Sequence, residues 1–246
     1  MYVSLDRRKS VVKKFAVFDI DGTIFRWQLF HEMFDEFVES GIIDAETAEP
    51  VLTSRNKWRQ GESTWLDYEM KLIETLDKAI IGVNLTTMEQ FADKIIARQG
   101  KVLYKYTLNL LKELQNAGYF TIALSGSHQQ LVDKFAKLYG IDVAIGLDYS
   151  QIDGKLTEKK QIVYGQKDKL LKKVVQENNL DWTNSYAVGD TKGDANMLEL
   201  VENPIAFNPD EELLSIAKSN GWKIVVERKG VAYSMERNSD GLYILE

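Results

Sequence analysis

The chain of 246 residues contains no cysteine, which excludes disulfides and a thiol nucleophile, yet it is long enough to bury a core that needs no cross-links. A net charge of −6 without a basic patch argues against nucleic acid as the main partner, so a phosphorylated ligand must be held by a few local cations. No apolar run approaches the length of a membrane span, and Met1 to Lys9 lacks the apolar centre of a signal peptide; a cytoplasmic protein is expected.

After a charged lead-in, Val11, Val12, Phe15, Ala16, Val17 and Phe18 form an apolar run interrupted by two lysines. Such a run reads as a strand buried on both faces of a parallel sheet. It breaks into Asp19-Ile20-Asp21-Gly22-Thr23. In open α/β sheets the ligand crevice lies beyond the carboxyl ends of the strands. Two aspartates there repel each other and lose hydration, which a bound divalent cation would compensate.

Leu29, Phe30, Met33, Phe34, Phe37 and Val38 then recur at helical spacing as far as Gly41. Helical periodicity continues through 51–58, 65–80 and 88–98, with Gly61 and Gly82 as breaks, so residues 26–100 read as an all-helical insertion. Next come a helix from Tyr104 to Ala117, a strand from Tyr119 to Leu124 ending in Ser125-Gly126-Ser127, a helix from Gln129 to Tyr139, and a short strand through Val143-Ala144-Ile145. This alternation is the βαβ rhythm of a parallel sheet.

Asp153-Gly154 signals a hairpin within 147–164, and a helix from Lys167 to Asn178 follows. The strand Ser185-Tyr186-Ala187-Val188 runs into Gly189-Asp190-Thr191-Lys192-Gly193-Asp194 and a helix through Leu200. A strand at Pro204–Phe207, a helix at Glu211–Lys218 and a strand at Trp222–Val226 complete the pattern. The tail from Ala232 to Leu245, bent at Asn238-Ser239-Asp240-Gly241, reads as a hairpin. It either extends the sheet edge or pairs with a second subunit, which leaves a homodimer open.

Four separated segments carry the chemistry: Asp19 with Asp21, Ser125 after the second strand, a lysine opening the helix near 167, and Gly189-Asp190 with Asp194. In this order, each at a strand end or helix start, they resemble the four motifs of the haloacid dehalogenase (HAD) phosphatase superfamily, in its phosphoserine-phosphatase-like branch. The resemblance implies a Rossmann-like parallel sheet flanked by helices, with residues 1–25 and 101–246 as the α/β core. Residues 26–100 would be the helical cap of that family. It implies a phosphomonoester hydrolase acting on a small phosphorylated metabolite, with a phosphotransferase or mutase as the alternative. A non-catalytic binding protein on this fold would be expected to lose Asp19 or Asp21.

By the same resemblance Asp19 is the nucleophile that becomes an aspartyl-phosphate, and Asp21 is the general acid and then base. Magnesium would be held by the Asp19 carboxylate, the Asp21 carbonyl and Asp190, with Asp194 acting behind them. Thr23, Ser125, Gly126 and Lys167 would contact the phosphate. Lys169 competes with Lys167 for the lysine role; the resemblance favours Lys167, because members of that family place the lysine four residues before a leucine on the buried face, as Lys167 stands to Leu171.

His128 reads as a polar residue in the first turn of a helix that also suits substrate contact, and His31 carries no assigned role. Phosphoserine phosphatases grip their substrate with a cap glutamate and arginine, and these positions fall on Gln28 and Glu69 here, which disfavours phosphoserine. Phe25, Trp27, Trp58 and Trp65 read first as core and second as the lining of a pocket for a larger leaving group.

Overall fold

The computed structural model describes residues 12–245. Its centre is one nine-stranded sheet in the order β4-β3-β2-β1-β5-β6-β7-β8-β9. The strands are β1 (Lys13–Phe18), β2 (Phe120–His128), β3 (Val143–Ile152), β4 (Lys155–Gln161), β5 (Leu180–Gly189), β6 (Asn203–Phe207), β7 (Lys223–Arg228), β8 (Val231–Arg237) and β9 (Tyr243–Leu245). The six from β3 across to β7 are mutually parallel, and the outermost strands at both edges run antiparallel. Chain order reverses at β1 and β5, the kind of switch point at which open α/β sheets bind ligands.

The apolar run at the start explains the central place of β1. Phe15 and Val17 enter the core on one side of the sheet, Ala16 and Phe18 the core on the other, and all four are fully buried. The buried part is shorter than the sequence suggests. Lys13, Lys14 and Val12 are exposed, Val12 by 46%, and Val11 lies outside the described residues.

Helices α1 (Leu29–Glu39), α2 (Ala45–Arg59), α3 (Trp65–Ala79), α4 (Leu85–Gln99) and α5 (Lys105–Asn116) all lie between β1 and β2. Their starts follow local chemistry. Asp44 caps α2 by accepting from the Thr47 amide, and Thr64 and Asp67 form a reciprocal capping box on α3. The first four helices are bracketed by two short segments that pair with each other: Arg26 N–H donates to the Val102 carbonyl (2.9 Å) and Tyr104 N–H to that of Ile24 (3.0 Å). A second tether joins the α3–α4 connection to the β3–β4 hairpin. There Gly82 N–H donates to Leu156 and Leu156 N–H returns a bond to Val83.

The remaining helices are α6 (Gln129–Tyr139), α7 (Lys167–Glu177), the one-turn α8 (Ala195–Leu198), preceded by a 3-10 turn at Lys192–Asp194, and α9 (Glu211–Asn220). Both hairpins expected from Asp-Gly pairs or a bent tail are present, with positive φ at Asp153 (51°) and Gly154 (74°) in the first turn. The short strand expected at Val143–Ile145 instead continues unbroken to Ile152 and forms one arm of that hairpin. At the other end β8 pairs with β7, and β9 with β8, so the tail extends the sheet. No helix among the described residues is long and apolar enough to cross a membrane.

Candidate active site

The carboxyl end of β1 supplies the first group. Asp19 N–H still bonds to the Val188 carbonyl of β5 (2.9 Å), so the residue is held as an extension of the sheet. The chain then folds tightly: the Ile20 carbonyl accepts from the amides of Ile24 and Phe25, and Gly22 N–H donates to Phe25 and Trp27. Gly22 adopts φ +80°, and a side-chain carbon there would meet the Asp190 carboxylate.

Lys167, the first residue of α7, is buried and its ammonium donates to Asp19 Oδ1 (2.6 Å) and Asp194 Oδ1 (2.5 Å). Asp194 is fixed in turn. Its Oδ2 accepts from the amides of Asp190 (3.1 Å) and Thr191 (3.0 Å) and from the Thr191 hydroxyl (3.3 Å). Lys169 lies on the exposed face of the same helix.

Asp21 points to a different set of donors. Its Oδ2 accepts from the hydroxyls of Ser125 (2.6 Å) and Ser127 (2.8 Å), and its Oδ1 from the Leu29 amide at the start of α1 (2.5 Å). Ser127 was not singled out from the sequence. The signal was there in Ser125-Gly126-Ser127, because residues two apart along an extended chain share a side. Gly126 between them is exposed, and a side-chain carbon there would meet nothing within 4 Å.

Thr23, expected beside phosphate, is fully buried, with its hydroxyl donating to Asp190 Oδ1 (3.1 Å) and its carbonyl accepting from Thr107 (2.8 Å). It orients Asp190. His128 accepts the Gln130 amide at Nδ1 (3.4 Å) as the N-cap of α6 and stacks on Tyr149 (5.5 Å). Gln28 precedes α1 without capping it, and Glu69 is half-buried on α3, where burial raises its carboxyl above the ordinary range.

Four carboxylates and one ammonium share this small volume. Burial pushes Asp19 up to about 7, with repulsion from Asp194 and Asp21 adding to the rise and Lys167 opposing it. Burial and the charges of Asp19 and Asp194 hold Asp190 well above the ordinary carboxylate range. Asp21 is also raised by burial, against the pull of the Leu29 amide and the two serines. Although burial would lower Lys167, Asp19 and Asp194 raise it, so it stays charged.

Oxygens of Asp19, Asp190 and Asp194 lie within 4.8 Å of one another. This all-oxygen, charge-excess donor set fits a hard divalent cation. Asp194 already has both oxygens engaged by protein donors, which leaves Asp19 and Asp190 as the carboxylates free to bind one.

Comparison with known proteins adds to this geometry. The family model described as haloacid dehalogenase-like hydrolase matches residues 16–199. A histidinol-phosphatase of Neisseria meningitidis is 24% identical over 230 residues, spanning 87% of this chain and 99% of the relative. A phosphoserine phosphatase of Streptococcus thermophilus is 30% identical over 206 residues, 80% of this chain and 85% of the relative. Among solved structures, a protein of unknown function from Bordetella pertussis superposes with a TM-score of 0.70 at 19% identity, covering 87% of this chain and 98% of its own. A phospho-aspartyl intermediate analogue of phosphoserine phosphatase superposes at 0.59 and 23% identity, covering 88% and 94%.

Proposed function

The chain belongs to the haloacid dehalogenase-like hydrolase family, in its phosphoserine-phosphatase-like branch, and from that premise we propose that it hydrolyses a small phosphorylated metabolite through an aspartyl-phosphate on Asp19. The observation that carries the reading is Lys167 bonded to both Asp19 and Asp194 beside Asp190, at the carboxyl end of the central strand. Residues 26–100 serve as the cap over this site, and of the described residues 12–25 with 101–245 as the core.

Asp19 attacks phosphorus, forming a new P–O bond as the bond to the leaving alcohol breaks. Asp21 gives its proton to the departing oxygen, and its raised pKa favours the protonated form this requires. In the second step Asp21 takes a proton from water as that water attacks the aspartyl-phosphate, releasing inorganic phosphate and restoring Asp19.

Lys167 balances charge on Asp19 and on the phosphoryl group. The open space at Gly126 admits the phosphate, and Ser125 would meet one of its oxygens by turning its hydroxyl from Asp21. Asp19, the Asp21 carbonyl and Asp190 would hold Mg2+, with Thr23 and Asp194 orienting that set. When bound, the ion neutralises negative charge on the transferred group.

Relatives named as a histidinol-phosphatase and a phosphoserine phosphatase support a small phosphomonoester as substrate. Gln28 and Glu69 cannot reproduce the paired grip on phosphoserine, so phosphoserine itself is not the substrate proposed.

The test is phosphate release from a panel of phosphomonoesters, with magnesium or with chelator, for the intact chain and for Asp19→Asn. Metal-dependent release abolished by Asp19→Asn is the expected result. Transfer of phosphate to an added acceptor in place of water would move the assignment to a phosphotransferase, and no release together with no phosphoprotein would overturn it.

A further inference from the structure

We propose that Glu227, near the carboxyl end of β7, is a positioning residue for Asp21: its two carboxylate oxygens brace, from both sides, the turn that carries Asp21. This inference rests on the hydrolase reading above and adds a residue to the machinery of the same site.

Glu227 is 6% exposed and lies on the last of the parallel strands, at the same edge of the sheet as Asp19 and Asp190. A carboxylate buried there needs partners. Its backbone is fixed by Asn208, whose Oδ1 accepts the Glu227 amide (2.8 Å). Oε2 accepts the Tyr106 amide (2.9 Å) in the first turn of α5. That helix has no capping bond from the side chain of its own N-cap, Tyr104, so a carboxylate 121 positions away takes that place. Oε1 has no hydrogen-bond partner, and the Arg26 guanidinium stands 3.8 Å from it. Arg26 in turn lies over the Tyr104 ring (5.0 Å), which meets the buried Phe207 edge-on (4.9 Å).

Each oxygen leads back to the Asp21 turn. From Oε2 the path runs through α5, where Thr107, next to Tyr106, donates its hydroxyl to the Thr23 carbonyl (2.8 Å) two residues after Asp21. From Oε1 it runs through Arg26, which sits between Phe25 and Trp27, and the carbonyls of both accept the Gly22 amide. Three residues beyond Arg26, the Leu29 amide donates to Asp21 Oδ1 (2.5 Å). Glu227 acts on Asp21 through these neighbours.

The charge explains why the residue is an acid. Glutamine has the same shape and still offers an oxygen to Tyr106, but it turns an amide donor instead of an anion toward Arg26. Because the acidic member is so deeply buried, water and salt screen the pair little.

Asp21 protonates the departing alcohol, so its aim matters most for a poor leaving group. The experiment compares kcat/KM for benzyl phosphate, whose alkoxide needs that proton, with kcat/KM for 4-nitrophenyl phosphate, whose nitrophenolate leaves without one. Glu227→Gln is expected to lose about tenfold on benzyl phosphate and to stay within about twofold on 4-nitrophenyl phosphate. Arg26→Met changes a side chain that is 39% exposed, so it gives a folded variant if Glu227→Gln does not, and the same selective loss is expected. The double variant is expected to lose no more than either single one, since both remove one interaction.

A merely structural role lowers both esters alike, through the folded fraction. That outcome, no loss in either variant, or losses that multiply in the double variant would overturn the proposal. Failure of the hydrolase reading shows separately, as no phosphate release from either ester by the intact chain.

Discussion

A side-chain carbon on Gly22 would stand 2.8 Å from Cγ of Asp190 and closer still to its Oδ2. The glycine one residue after Asp21 therefore does two things: it permits φ +80° and it leaves the space that the Asp190 carboxylate occupies. Gly22→Ala is expected to displace Asp190 from Asp19. Metal-dependent phosphatase activity should fall about 100-fold, the usual cost of misplacing a group in the site by an ångström. The left-handed backbone adds roughly 1–2 kcal/mol of destabilisation. Kinetics with a magnesium titration and a thermal melt would check both, and an alanine variant with unchanged magnesium dependence would refute the packing argument.

Ser127 and Ser125 donate to the same oxygen of Asp21. Removing one donor should push Asp21 further above its ordinary value, since these bonds favour the ionised form. Ser127→Ala is expected to lower kcat by about tenfold or more, the worth of one hydrogen bond to a charged group, and to move the alkaline limb of the pH–rate profile, where the general acid Asp21 loses its proton, upward. A loss of rate without movement of that limb would assign Ser127 to packing.

Lys167 and Lys169 separate cleanly. Lys167→Met strands two buried carboxylates, so a destabilisation of about 3–5 kcal/mol is expected, together with loss of phosphatase activity. Lys169→Ala, on the exposed face, is expected to change stability by no more than about 0.5 kcal/mol and to retain activity. Urea unfolding and initial rates on the two variants would decide, and reversed outcomes would move the lysine role to residue 169.

His31 gives a pH prediction with a definite sign. Its folded-state value is lowered from 6.5 to about 3 by burial and by Arg55. Between those pH values the unfolded chain takes up a proton that the folded chain refuses. Stability therefore falls as pH drops below 6.5, by up to about 1.4 kcal/mol per unit from this group. His128, lowered to about 4 mainly by burial, acts in the same direction. His31→Phe is expected to make the acid slope of unfolding free energy shallower by about that amount per unit, measured between pH 6 and 4. Identical slopes in both proteins would show that His31 titrates as an ordinary histidine.

The amino-acid sequence by itself determined the order of elements and the groups at the strand ends. Apolar runs bounded by glycine and acidic turns are local signals, and so are helical periodicity in 26–100 and the Asp153-Gly154 turn. Asp19, Asp21, Lys167, Asp190 and Asp194 were readable because each sits close to the end of a strand or the start of a helix; Ser125 was readable because Ser125-Gly126-Ser127 breaks the apolar run, although β2 itself continues to His128.

Tertiary structure decided which of these groups meet. Lys167 and Asp19 are 148 positions apart, and only the parallel packing of β1 beside β5, with α7 on one face, brings the ammonium to the carboxylate. The same holds for Thr23, whose hydroxyl reaches Asp190 across 167 positions. His31 carried no assigned role in the sequence. Its neighbours Tyr68 and Trp65 come from another helix, and an unpaired buried nitrogen is a property of three-dimensional packing that no spacing along the chain records.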